Sequence, residues 1–201
     1  MKTIITKSII FRLLFLFFFL GLISNTYSQS FYKIEKKKNN NEISFKINKD
    51  EFIAKMGINS EARTPKINFS GKGNYTYNSL IQDAVLDFEV FTNSKSNRAY
   101  LIINNYKEYS HGAELFLIEK GSFKHIGQIC IAAYMLNEKE KMDYCSILKH
   151  ITILETTQKT YISFETPLIV INPGQHDEEI LKGNKLYYTL ESGKLIQNRS
   201  N

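Results

Sequence analysis

The chain has 201 residues, 43% of them hydrophobic and 13% aromatic, with 26 bases, 20 acids and a formal charge of +6. These values fit one ordinary globular domain; they exclude a disordered tail, a collagen-like repeat, a disulfide-dense mini-protein and a large multi-domain enzyme. The basic balance invites a nucleic-acid partner, yet only Arg12, Arg63, Arg98 and Arg199 are arginines, the residue suited to bidentate phosphate and base contacts, so no nucleic-acid partner is expected.

Residues 1–28 read as a signal peptide. Lys2, Lys7 and Arg12 give a positive start, Leu13 to Ile23 is an apolar run, and Thr26 and Ser28 are small enough for the third and the last position before a cleavage site. A bilayer span needs about 20 apolar residues, so no stable membrane span is expected after cleavage. The expected location is secreted or periplasmic. Cleavage removes three bases and no acid, leaving 23 bases against 20 acids.

Residues 29–41 carry Lys36, Lys37 and Lys38 followed by Asn39, Asn40 and Asn41. Self-repelling lysines and backbone-competing asparagines predict a solvated linker, which leaves 42–201 as a single β-rich domain. Ile43, Phe45 and Ile47 alternate with polar residues, the period of a half-buried strand. Asn48 to Gly57 reads as one short helix, capped by Asp50, with Phe52, Ile53 and Met56 on a face and Gly57 at its end. Residues 57–79 read as a long loop with at most one strand, near Ile67 to Phe69.

From Ala84 onward the chain reads as successive short strands. The first runs over Val85 to Phe91 and the second over Ala99 to Ile103. Leu115 to Ile118 and Phe123 to Ala133 flank a Lys120-Gly121 hairpin turn. Ile147 to Leu154, Thr160 to Phe164 and Leu168 to Ile171 follow, and Lys185 to Leu190 and Lys194 to Ile196 flank a hairpin at Glu191-Ser192-Gly193. Asp177 caps a predicted helical turn from Glu178 to Lys182, ended by Gly183. About ten short strands predict a mainly β fold: a single antiparallel β-sandwich or partly closed β-barrel with one or two short helices.

Cys130 and Cys145 are the only cysteines. A hairpin centred near Asn137 and Glu138 would set them opposite each other, where Cβ atoms ~4.5–5.5 Å apart come within reach of a bond. In an oxidising compartment a disulfide is expected. The same register pairs His125 with His150. A His pair joined by a carboxylate would suit zinc binding or acid–base work, but the sequence names no third ligand. No catalytic motif emerges, and no metal or cofactor is implied. Tyr106, Tyr109 and His111 cluster in one loop and form the candidate binding tip, tyrosine being rigid and amphipathic. The sequence therefore points to an exported non-catalytic β-rich module whose partner is an envelope or extracellular protein, peptide or glycan. The alternative is a secreted or periplasmic hydrolase or metal-assisted enzyme using the His pair.

Overall fold

A computed structural model describes residues 28–39, 41–107, 110–136 and 139–200. Except for Ser28, the expected export signal lies outside the described residues. The protein is mainly β, and every strand pair is antiparallel. The strands run in chain order as β1 (Gln29–Lys33), β2 (Lys36–Asn39), β3 (Glu42–Ile47), β4 (Asp50–Ile58), β5 (Pro65–Gly71), β6 (Tyr75–Asn78), β7 (Val85–Thr92), β8 (Arg98–Tyr106) and β9 (Ser110–Glu119). They continue as β10 (Ser122–Ile129), β11 (Ile131–Leu136), β12 (Met142–Cys145), β13 (Ile151–Glu155), β14 (Thr160–Phe164), β15 (Leu168–Ile171), β16 (Glu179–Lys182), β17 (Leu186–Glu191) and β18 (Lys194–Arg199). Among the described residues, helical structure is confined to 3-10 turns at Ile147–His150 and Gly183–Lys185. Among the described residues no helix is long and apolar enough to cross a membrane.

Nine strands form one sheet in the order β10-β9-β8-β7-β1-β13-β14-β17-β18. Its two outer strands come back together: a Cβ added at Gly127 on β10 would lie 3.3 Å from the Cβ of Leu195 on β18. The sheet is thus a nearly closed barrel. Its interior holds Phe91, Tyr100, Ile102, Leu115, Ile153, Ile162 and Tyr188, and one end is filled by Ile131, Ala133, Ile147, Ile169 and Ile171. The end-filling residues belong to a four-stranded sheet, β12-β11-β15-β16, and to the first 3-10 turn. The chain passes from barrel to end sheet at Cys130, the bend between β10 and β11, whose carbonyl accepts from the Asn172 N–H at 2.8 Å.

A five-stranded meander, β2-β3-β4-β5-β6, covers the outside of β7, β8 and β9. Its Phe45, Phe52, Ala54, Ile67 and Phe69 pack on Phe88, Val90, Leu101, Ile103 and Phe116. Aromatic pairs dominate this second core, among them Phe69–Phe88, edge-on at 5.4 Å, and Tyr75–Phe123, stacked at 5.3 Å. Such pairs add about 0.5–1.5 kcal/mol each beyond their buried area.

Several expectations are corrected. Residues 29–39 are two strands, not a linker: β1 sits between β13 and β7 inside the barrel wall, held by buried Phe31. Lysine-rich β2 is the outer strand of the meander, and lysines along an edge discourage pairing with another chain. The predicted helix at 48–57 is β4. A two-residue turn at Asn48-Lys49, with Asn48 at φ 56°, folds it onto β3, and alternate residues Phe52 and Ala54 are the buried ones. The predicted loop contains both β5 and β6. Residues 179–182 are strand β16, paired with β15, rather than a helical turn. The two hairpins stand as expected: Lys120 and Gly121 have φ 52° and 83°, and Ser192 and Gly193 have φ 50° and 78°. That left-handed pair is the turn that suits the twist of antiparallel strands.

Leu101 is fully buried on β8 against the meander. Leu101→Ala is expected to lower unfolding free energy by about 3 kcal/mol through the lost contacts and residual cavity. Ile58→Ala, at a position 70% exposed, should change it by less than about 0.5 kcal/mol. Urea unfolding followed by far-UV circular dichroism measures both.

Candidate functional site

The site begins with a strand that is apolar until its end. β8 reads Ala99-Tyr100-Leu101-Ile102-Ile103 and then Asn104-Asn105, all buried. Buried amides require partners. Asn105 donates from Nδ2 to the Tyr77 hydroxyl at 2.7 Å, and its Oδ1 accepts from the Ser79 hydroxyl at 2.8 Å. Tyr77 in turn donates to Glu114 Oε1 at 2.8 Å. The other oxygen, Oε2, lies 3.1 Å from His125 Nε2. The result is a continuous chain, Ser79–Asn105–Tyr77–Glu114–His125, spanning β6, β8, β9 and β10. Burial raises the Tyr77 pKa, and the neighbouring carboxylate raises it further although Asn105 opposes the shift. The phenol therefore remains a proton donor across the physiological range.

The middle of this chain, Asn105, Tyr77 and Glu114, lines a cleft of about 220 Å³ between the end of the meander and the barrel wall. Tyr77, Asn105, His111, Glu114, Gln128 and Cys130 contribute its polar side, and Leu80 and Ile81 its apolar lip. Leu80 is 91% exposed. A bulge at the start of β9 aims His111: Asn104 pairs with Ala113, but Tyr106 pairs with Ser110, so the register shifts between them. Gly112 makes the bulge, with φ 92° and an added Cβ only 2.8 Å from the Ile129 carbonyl oxygen. No other residue fits that combination without displacement.

Of the expected binding tip, His111 lines the cleft and Tyr106 ends β8 half-buried; Tyr109 lies outside the described residues. The His125–His150 pair is not formed. His125 stands opposite Phe116 on β9, while His150 ends the first 3-10 turn, its Nδ1 3.1 Å from the Glu165 carbonyl oxygen. Among the described residues no group of three or more His, Cys, Asp or Glu is placed to hold a metal ion.

The disulfide is corrected too. Both cysteines are free thiols. Cys145 pairs with Ala133, three residues beyond the expected partner, because the β11–β12 connection is centred later in the chain. Cys130 instead belongs to the bend and to the cleft. Burial raises its pKa, and the Glu114 carboxylate adds to the shift.

No sequence motif singles out Glu114 from the other acids. Nor does any motif mark Tyr77, Ser79 or Asn105. The available signal was the Asn104-Asn105 pair closing an otherwise apolar strand. No protein-family model, curated protein or solved structure matches this chain significantly.

Glu114→Gln removes the negative charge beside Cys130. The Cys130 pKa should fall, so its iodoacetamide alkylation profile should shift to lower pH, with more thiolate at any pH below the original pKa. Cys145, whose shift comes from burial and Asp143, should keep its profile. Peptide mapping of alkylated protein across pH reports both.

Proposed function

We propose that this chain is an exported, non-catalytic β-rich binding module of the cell envelope or extracellular space, taking a peptide or glycan into the cleft beside His111. The carrying observation is the hydrogen-bond chain from Ser79 to His125, which holds Tyr77, Asn105 and Glu114 of the cleft wall in fixed orientations. Preorganised groups lose little conformational freedom on binding, so more of each contact appears as affinity. Few well-placed polar groups beside apolar surface are also the usual make-up of a ligand site. Exposed Leu80 extends that apolar surface at the lip. Export is supported by the order of positive start, apolar run and small residues in 1–28.

A soluble disaccharide carrying a short peptide, of the kind found in envelope polymers, is the probe. Titration monitored by two-dimensional amide NMR should shift residues 77–81, 105 and 111–114 before others. His111→Ala should weaken binding about tenfold while leaving the melting temperature close to wild type. Shifts scattered over the surface, or none up to millimolar probe, would reject the cleft as the site.

A further inference from the structure

The barrel's two ends differ. The four-stranded sheet fills one end; at the other lies an open cavity of about 320 Å³, rimmed by the turns after β13 and β17. Rim charges are mostly paired. Arg98 lies 3.3 Å from both Glu119 and Glu155, and Lys159 lies 3.1 Å from Glu191. Lys124 differs in two respects. Among the described residues no carboxylate lies within ion-pair distance of it. Its strand position also faces inward: Lys124 stands directly opposite Leu117, whose side chain packs against the barrel core, and directly opposed residues share a sheet face.

A bulge deepens this feature. The β10 register passes from His125 opposite Phe116 to Gly127 opposite Leu115, leaving Ile126 as the extra residue. Ile126 also packs against the barrel core. One cation and an apolar side chain two residues away therefore turn toward the same interior. Leu117, Ile126 and Leu190 form an apolar wall of the cavity below the exposed Lys124, and Tyr100 and Thr160 stand deeper, their hydroxyls 3.0 Å apart. The Lys124 ammonium lies beside the β17–β18 turn, 3.5 Å from where a Cβ at Gly193 would stand. An ammonium over an apolar wall at an open mouth is complementary to a molecule with one negative head and one short apolar chain.

We infer that the open mouth of the barrel binds a short-chain amphipathic carboxylate, its head at Lys124 and its chain along Leu117, Ile126 and Leu190. The site lies apart from the cleft proposed above and stands or falls separately.

The test uses the exported chain after removal of residues 1–28 if cleavage is found, and the full chain otherwise. Octanoate is the probe, with acetate and octyltrimethylammonium as comparators, followed by calorimetry and amide NMR. Octanoate is expected to shift residues 117, 124–127 and 190–195 and to bind at least tenfold more tightly than either comparator. Lys124→Gln, at an exposed position, should weaken octanoate at least fivefold with an unchanged melting temperature. Equal binding of acetate would remove the apolar wall from the argument, and equal binding of octyltrimethylammonium would remove the lysine. Either result overturns the proposal, as does the absence of mouth shifts up to millimolar octanoate.

Discussion

The structure depends on β8 being buried on both faces. Tyr100 and Ile102 point into the barrel, while Ala99, Leu101 and Ile103 point outward to the meander. A strand that serves two cores cannot alternate apolar and polar residues, and this one does not. Its neighbours share the burden: Phe91 of β7 and Leu115 of β9 face inward, and Phe88, Val90, Phe116 and Ile118 face outward. Without the meander, that outer face would expose a contiguous aromatic and aliphatic surface, which soluble proteins rarely leave uncovered. The meander in turn has its apolar face only where these strands receive it. The two layers are therefore stable together, and the β7–β9 wall is their common element.

What was legible in the sequence follows from this arrangement. Strands buried on one or both faces in the second half announced themselves by composition, and turns that need left-handed backbone announced themselves by Lys120-Gly121 and Ser192-Gly193. Strands β2 and β4 hid because they belong to the outer meander. β2 is a lysine-rich edge whose composition is chosen for solvent, so it resembles a linker. In β4, Ile53 is an apolar residue on the solvent side, 38% exposed. Together with Phe52 and Met56 it imitates a helical face and masks the alternation of Phe52 and Ala54. The signal that would have decided the matter was Asn48, whose tolerance of positive φ marks a hairpin turn.

The cysteines and histidines teach a different limit. Symmetry about an assumed hairpin centre paired 130 with 145 and 125 with 150, and both pairings rest on one register. The chain breaks that register at Cys130, where it leaves one sheet for another, so residues before and after the bend answer to different partners: Ile129 to Ala113, Ile131 to Ile171. A change of sheet is a long-range event set by how the end sheet packs, and no local pattern encodes it. The cleft was hidden for the same reason. The five linked side chains that build its wall and back it come from β6 and the residue after it, β8, β9 and β10, and only closure of the meander on the barrel brings them together.

The bend at Cys130 also explains why the two ends of the barrel have different characters. By carrying β11 away from the wall, it supplies the strand around which the end sheet is built, and Ile131 and Ala133 become a lid on the interior. The same departure ends β10 as a barrel strand, and the bulge earlier in β10 tightens the join to β18 through Gly127. At the opposite end the strands return through short turns, and among the described residues they contribute no covering layer. There the interior is held by side chains of the wall itself, with Tyr100 bonded to Thr160 as the deepest polar contact and burial driving the Tyr100 pKa up to about 12. Above that pair the mouth is rimmed by the Arg98–Glu119, Arg98–Glu155 and Lys159–Glu191 ion pairs, and Lys124 stands outside them.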